Sequence, residues 1–574
     1  MKHLFGIRAI SGAILAFALA SPLAAYAADA AAPDYGFKGD YYTGSAVCSS
    51  CHSQLKDEAG RDVSIDAAWR GTMMGNSARD PFWRMVLRGE LIANPNLKPV
   101  IEGKCSACHM PLAKTTAAAD GKEVSILDGG FASPENALHN YALDSVSCTL
   151  CHQITPDHFG KKESYTGHYT VASIKNKAEG KKDAEPAVYG PYDPAPDGGP
   201  VMAAASGYHP KLASHIQDSA LCGTCHNLYT PFVKTNGELG AYEVPEQAPY
   251  TEWENSAYNT TKKQTCQQCH MPEAIGGVAL SVTGGEKRPN FNQHSFVGGN
   301  YYILDLFRQY GPEMQATGSP EEFATNVNRT LDYLRTHTAT VKITDVGLDK
   351  GALSFKVNVK NLTGHKFPTA YPARRAWLHT TVFDSSGKVV FESGKVRDDG
   401  LIFGNDEDEQ DAAYEPHYDV ISAPNQVQIY QAGLVNSDGV PTTTLLFSAK
   451  YAKDSRLLPD GFDKAGAPAD VQVYGEAKAD PSFVAGGDTV TYKLDLGAQG
   501  PFTVETELLY QSMNYRWVKN LALVNARAPN AEAKRFLRYY DDNPNRPALV
   551  AQATTDIGGV MRNSTRVFQK VAAQ

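Results

Sequence analysis

The chain has 574 residues, ten cysteines and a formal net charge of −9. That length allows two or three domains, and the negative balance argues against nucleic acid or an anionic membrane as partner while allowing a basic redox partner. No stretch holds eighteen apolar residues in a row, which excludes an integral membrane segment after the first residues are removed.

The first predicted element is an export signal. Lys2 and Arg8 precede an apolar run from Ala9 to Ala20, and Ser21 to Ala27 ends in a small-x-small pattern, so residues 1–27 read as a signal peptide cleaved after Ala27. Losing Lys2 and Arg8 takes the net charge from −9 to −11. Export to an oxidising compartment is expected: the periplasm of a Gram-negative type of cell, with the cell surface as the alternative.

Residues 28–300 carry one pattern five times. The copies are Cys48-Ser-Ser-Cys51-His52, Cys105-Ser-Ala-Cys108-His109, Cys148-Thr-Leu-Cys151-His152, Cys222-Gly-Thr-Cys225-His226 and Cys266-Gln-Gln-Cys269-His270, and they use all ten cysteines. Chance at this composition gives on the order of 0.005 such patterns, and C-x-x-C-H is the attachment signature of a c-type haem. Two thiols three residues apart lie on one helical turn and can each form a thioether to a haem vinyl group, and the next histidine then falls under the iron. A disulfide framework needs no histidine after every second cysteine, and a tetrahedral zinc site would not repeat it at one fixed offset. Five covalently attached haem c groups are therefore expected, with His52, His109, His152, His226 and His270 on iron. Their macrocycles would supply much of the buried apolar surface, so a mostly α, loop-rich domain is expected around them, with a long loop from Gly180 to Pro200.

An internal duplication runs through this region. Residues 48–111 and 222–272 both read C-x-x-C-H, then W-x-x-[ST]-x-[MY] (Trp69 to Met74, Trp253 to Tyr258), then C-x-x-C-H-M-P, with the third motif between the copies. Residues 301–337 have apolar positions at helical spacing and Ser319 as an N-cap, which predicts a helical connector. From 338 the period falls to two. Strands are predicted at Thr340–Thr344 and Ala352–Val359 around an Asp349-Lys-Gly351 turn, then at 377–383, 388–392, 427–431, 442–447, 489–496 and 503–509. They imply an immunoglobulin-like β-sandwich over 338–510, followed by a partly helical tail, 511–574, that docks back. The expected fold class is α+β and multidomain.

The second axial ligand decides what each iron does. Histidine or methionine suits electron transfer, whereas an open position admits a small molecule. Ten histidines remain outside the motifs and the signal. The candidates are His139 just upstream of the third motif, His215 just upstream of the fourth, His168, His294 in Asn292-Gln-His-Ser-Phe-Val-Gly-Gly-Asn300, where the glycines admit a macrocycle, and His365 at the end of a predicted strand. Met74, in the last slot of the tryptophan pattern, is the sulfur candidate, and its counterpart is Tyr258. His337, His379 and His417 read as structural.

Several segments resemble those of bacterial multihaem c-type cytochromes of the periplasm and cell surface: Leu221 to Pro231, Glu252-Trp253-x-x-Ser256, Cys266 to Pro272, His294-Ser-Phe-x-Gly-Gly-Asn300 and Gly364-His-x-Phe-Pro-Thr369. The resemblance implies distal-ligand roles for His139, His215 and His365. The slot after W-x-x-S is often histidine in relatives and is Met74 or Tyr258 here. The function expected is an exported pentahaem cytochrome c carrying electrons between redox proteins, such as a quinol-oxidising membrane cytochrome, a terminal reductase or an outer-membrane conduit. The alternatives are a multihaem oxidoreductase acting on a small nitrogen or sulfur compound at one open iron, and a sandwich that serves as a docking module.

Overall fold

A computed structural model describes residues 33–181, 185–194 and 198–558; the predicted signal and part of the predicted long loop lie outside them. The motif-bearing region is built from short helices. They include Ser45–Ser49, Ile65–Arg70, Pro81–Ala93, Lys98–His109, Cys148–Cys151, Ser219–His226, Pro249–Glu254 and Cys266–His270. Proline sets several starts, since its missing N–H costs nothing in a first turn. At Pro81 the preceding Asp80 carboxylate also accepts from the Phe82 and Trp83 amides. The predicted loop from Gly180 to Pro200 is more regular than expected. Ala187–Gly190 pairs in parallel with His209–Leu212, and the Tyr189 amide donates to the His152 carbonyl at 2.7 Å, so a haem motif captures the segment as a strand.

The connector is helical over Tyr301–Tyr310 and Pro320–His337, and Ser319 forms a capping box with Glu322. It leads into two sheets. One has the order β5-β7-β2-β1, with β1 Ala339–Asp349, β2 Ala352–Asn361, β5 Val420–Ile421 and β7 Gly487–Asp495. The other has the order β4-β3-β8-β9, with β3 Arg375–Asp384, β4 Val389–Ser393, β8 Phe502–Gln511 and β9 Ala548–Ile557, and β6 Ile429–Tyr430 also pairs with β3. Leu353, Phe355, Val357 and Val359 alternate inward along β2, and Phe502, Val504, Thr506 and Leu508 do so along β8. Phe355 stacks on Tyr492 at 4.8 Å, and Phe391 meets the same ring edge-on. The Lys350-Gly351 turn puts both residues at positive φ (47° and 90°), the conformation a two-residue hairpin requires.

Two expectations change. The strand predicted at 442–447 is a 3₁₀ turn, Leu445–Phe447, because the Glu90 carboxylate accepts from the Leu445 and Leu446 amides at 2.6 and 3.3 Å. The segment after 510 is helical over Tyr515–Asn525 and Ala531–Asp542, yet it ends in β9, paired antiparallel with β8. Its alanines and threonines gave no strong alternation to read. No helix among the described residues is long and apolar enough to cross a membrane.

Candidate functional site

All ten cysteines are half-buried and none forms a disulfide. Together with the five motif histidines they line one continuous cavity of about 1900 Å³. Each motif lies on or beside a short helix, so its two thiols share a face. Four of the motif imidazoles are oriented by main-chain carbonyls. Nδ1–H of His52 donates to Leu280 (2.7 Å), that of His109 to Ser77 (3.0 Å), that of His152 to Tyr189 (2.6 Å) and that of His270 to Val297. This engagement leaves Nε2 for a metal and raises its basicity. Burial pushes the His109 and His226 imidazoles down to about 4 and lowers those of His152 and His270, so all four are neutral, the form that binds metal.

Two of these rings are faced by a second imidazole. The centroids of His152 and His294 are 6.3 Å apart with 17° between planes, and those of His270 and His365 are 6.1 Å apart, also with 17°. Two imidazole–metal bonds of about 2.0 Å leave about 1 Å per side, the distance from a ring nitrogen to its centre. Each gap therefore fits one metal ion between two nitrogens. Burial holds His294 near 3 and His365 near 4. Among the described residues, His52, His109 and His226 form no such facing pair; His109 instead stacks on Trp83 at 4.2 Å.

The remaining candidates lie elsewhere. Met74 is on the cavity wall. His139 is buried, with Nδ1–H donating to the Phe131 carbonyl at 3.0 Å, and does not line the cavity. His168 is exposed. His215 uses Nε2–H on the Ile154 carbonyl at 2.9 Å and packs edge-on against Tyr189 and Phe159, so the nitrogen that would face an iron is engaged by protein. His379 and His417 are held by carboxylates, Glu392 and Glu507 for the first and Asp480 for the second.

The motifs pair in space differently from their order along the chain. The Cys48 and Cys148 thiols lie side by side, as do Cys222 and Cys266, and Cys108 and Cys225, each pair close enough to shift its members' ionisation. Cys151 also feels Cys225. The tryptophans follow the same pairing. Trp69 Nε1–H donates to Val146, two residues before Cys148, and Trp253 Nε1–H donates to Gln264, two residues before Cys266. Thr72 and Ser256 each close the turn onto the tryptophan carbonyl at 2.7 Å. The partner of the first motif is thus the third, as the partner of the fourth is the fifth, and both facing imidazoles belong to the later member of a pair.

Sequence reasoning missed several polar residues on or near the wall. Tyr371 has a buried hydroxyl without a hydrogen-bond partner. Buried near it are Glu90, pushed up to about 8, Glu246, up to about 7, and Asp80, up to about 6, all by desolvation. No spacing links these four, and only the fold collects them beside Cys105.

The donor set fits covalent haem c, with thiols in pairs one turn apart, an imidazole beside each pair and a largely apolar enclosure around them. Residues 135–271, which include three motifs, match the family described as cytochrome c7 and related cytochrome c. A search of curated proteins found no match. Among solved structures, the penta-heme cytochrome c552 from Thermochromatium tepidum is similar at 16% identity and a TM-score of 0.49, covering 91% of this chain and 100% of that one. The five haem motifs and the family match over residues 135–271 together support a multihaem c-type cytochrome with covalently bound haem c, and with it electron transfer in general.

Proposed function

We propose that the protein is an exported pentahaem cytochrome c that relays electrons between redox proteins. The observation that carries this reading is the pair of facing imidazoles, His152 with His294 and His270 with His365, on a cavity shared by every motif thiol. Bound haem c supplies reversible one-electron chemistry at its iron. The chain's part is to hold the group: paired cysteines as thioethers, the motif histidine on one side and, at the third and fifth motifs, His294 and His365 on the other. Imidazole in both axial positions leaves no place for a substrate and suits electron transfer. The neighbouring thiols of the first and third, second and fourth, and fourth and fifth motifs favour short hops between centres.

Around this core we assign a haem domain over 28–300, a connector over 301–337 and an immunoglobulin-like sandwich. The sandwich reading is supported by the two strand orders, and β9 extends it beyond 510. Residues 1–27 as a signal peptide support a periplasmic or cell-surface location. The partners in that setting are a quinol-oxidising membrane cytochrome, a terminal reductase or an outer-membrane conduit. Low-temperature electron paramagnetic resonance of the oxidised protein, with an intact mass to count haems, tests the reading. His294→Ala and His365→Ala should each replace one low-spin signal by a high-spin one. Unchanged spectra in both variants overturn it.

A second reading is favoured at the second motif alone. There the unpartnered Tyr371 hydroxyl shares the wall with Glu90, Glu246 and Asp80, and acid/base groups beside an iron are what reduction or oxidation of a small nitrogen or sulfur compound needs. A high-spin signal that shifts with nitrite, hydroxylamine or sulfite, and no longer does so in Tyr371→Phe, supports this oxidoreductase. Its absence in the wild type leaves the carrier.

A further inference from the structure

The loop that presents His365 is clamped by four buried charges. The Lys366 ammonium reaches Asp454 at 2.6 Å, and Arg456 bridges Asp454 at 2.7 Å and Glu252 at 2.8 Å. None of these four side chains is more than 8% exposed. Removing one partner from such a group strands another charge away from water, so the arrangement is held as a unit.

Glu252 does more than balance Arg456. Its Oε2 accepts from the Lys366 amide at 3.1 Å and from the Thr369 hydroxyl at 2.5 Å, near the two ends of the His365 to Thr369 loop. On the other side of the same residue, the Lys366 carbonyl accepts from His365 Nδ1–H at 2.9 Å. Lys366 thus touches the Glu252 carboxylate through its amide and the imidazole through its carbonyl. Glu252 itself sits on the helix Pro249–Glu254, next to Trp253, whose indole is bonded just ahead of the fifth motif. The equivalent residue before Trp69 is Ala68, so the other imidazole pair has no such carboxylate.

We infer that Glu252 is the positioning residue for His365, fixing the plane of that imidazole through the Lys366 backbone and thereby setting the behaviour of the fifth-motif centre alone. The inference rests on the reading of His365 as an axial ligand. It goes further in naming what aims that ligand. A carboxylate that fixes the Lys366 amide and the Thr369 hydroxyl fixes where the backbone between them lies, and with it the Lys366 carbonyl that accepts from Nδ1–H and so orients the ring.

The test uses the fully haem-loaded protein, with resonance spectra and a redox titration on each variant. Glu252→Gln keeps the size and an acceptor oxygen but removes the charge. It should raise one midpoint potential and alter the anisotropy of one low-spin signal, which follows the angle between the two imidazole planes. Asp454→Asn removes a charge from the same network but reaches the loop through side chains, the Lys366 ammonium and the Arg456–Glu252 pair, and not through the Lys366 amide. It should raise the same potential and leave the anisotropy alone. Equal spectral changes in both variants, or none in Glu252→Gln, overturn the inference. Thr369→Val removes a single bond to Glu252 and keeps the test open if Glu252→Gln does not fold: a smaller change at the same signal supports the inference, and no change overturns it. His365→Ala separates the two claims. If it abolishes one low-spin signal while Glu252→Gln and Thr369→Val change nothing, only the positioning role fails. If it abolishes none, the ligand reading fails.

Discussion

Opposite His152, the His294 ring is carried by a loop tied down by neutral bonds. The Val297 amide donates to His270, the Gln293 amide to Pro272 and the Asn292 side-chain amide to Met271, at 2.9 to 3.1 Å. Opposite His270, the His365 ring is carried by a loop tied down by buried charge. The two ring pairs differ by only 0.2 Å in separation and share one interplanar angle. Similar ring geometry is thus reached by two kinds of support. Neutral bonds fail one at a time and cheaply, whereas a buried ionic cluster fails together.

The largest expected effect comes from breaking both pairs where they join. Cys222→Ser with Cys225→Ser should lower the intact mass by one haem and leave the neighbouring motifs without a packed wall, read as loss of soluble, fully loaded protein. Next, Asp454→Ala should cost roughly 3–5 kcal/mol in urea unfolding, because Lys366 and Arg456 lose their shared partner. By contrast, Asn292→Ala on the neutral loop should cost only about 0.5–1.5 kcal/mol. Equal costs would erase the distinction between the loops.

A pH profile brings in the second motif, which belongs to neither facing pair. Desolvation raises Glu90 from 4.5 to about 8 in the folded chain, so the folded state holds a proton that the unfolded state gives up. The resulting stability is complete below pH 4.5 and is lost as pH rises towards 8, by up to about 5 kcal/mol. The urea midpoint should therefore fall between pH 5 and pH 8, and Glu90→Gln should flatten that fall. The smallest effect tests whether the two halves are equivalent. Trp69→Phe and Trp253→Phe each delete one indole bond to a main-chain carbonyl, and each should cost about 0.5–1.5 kcal/mol. A clear inequality would mean that the two tryptophan turns only look alike.

Local chemistry was legible in the sequence; long-range assembly was not. Spacing alone located every thiol and the five motif histidines; the two further histidines whose rings face His152 and His270 were only two of six distal candidates, His294 named for the glycines beside it and His365 for its strand end and its resemblance. Ser319 as a cap and the Lys350-Gly351 turn were readable for the same reason, since each is decided within a few residues. The pairing of the first motif with the third was hidden, because it depends on Trp69 finding Val146, 77 positions along the chain. The turn at Leu445 was likewise unreadable, since the carboxylate that makes it comes from Glu90, 355 positions away. The engagement of His215 by the Ile154 carbonyl left no mark on its own neighbourhood. Lys366 reads as a loop lysine until Asp454 and Arg456 are placed around it.

The thiol neighbours also define a map of routes. Cys225 of the fourth motif lies beside Cys108 of the second and near Cys151 of the third, while Cys222 lies beside Cys266 of the fifth. Only the first motif, beside the third, stands one step further out. The thiol contacts therefore branch from the fourth motif and do not run in single file. If haems occupy the motifs as proposed, a fault in the helix Ser219–His226 would cut the second and fifth off from the rest while leaving the first and third joined to each other.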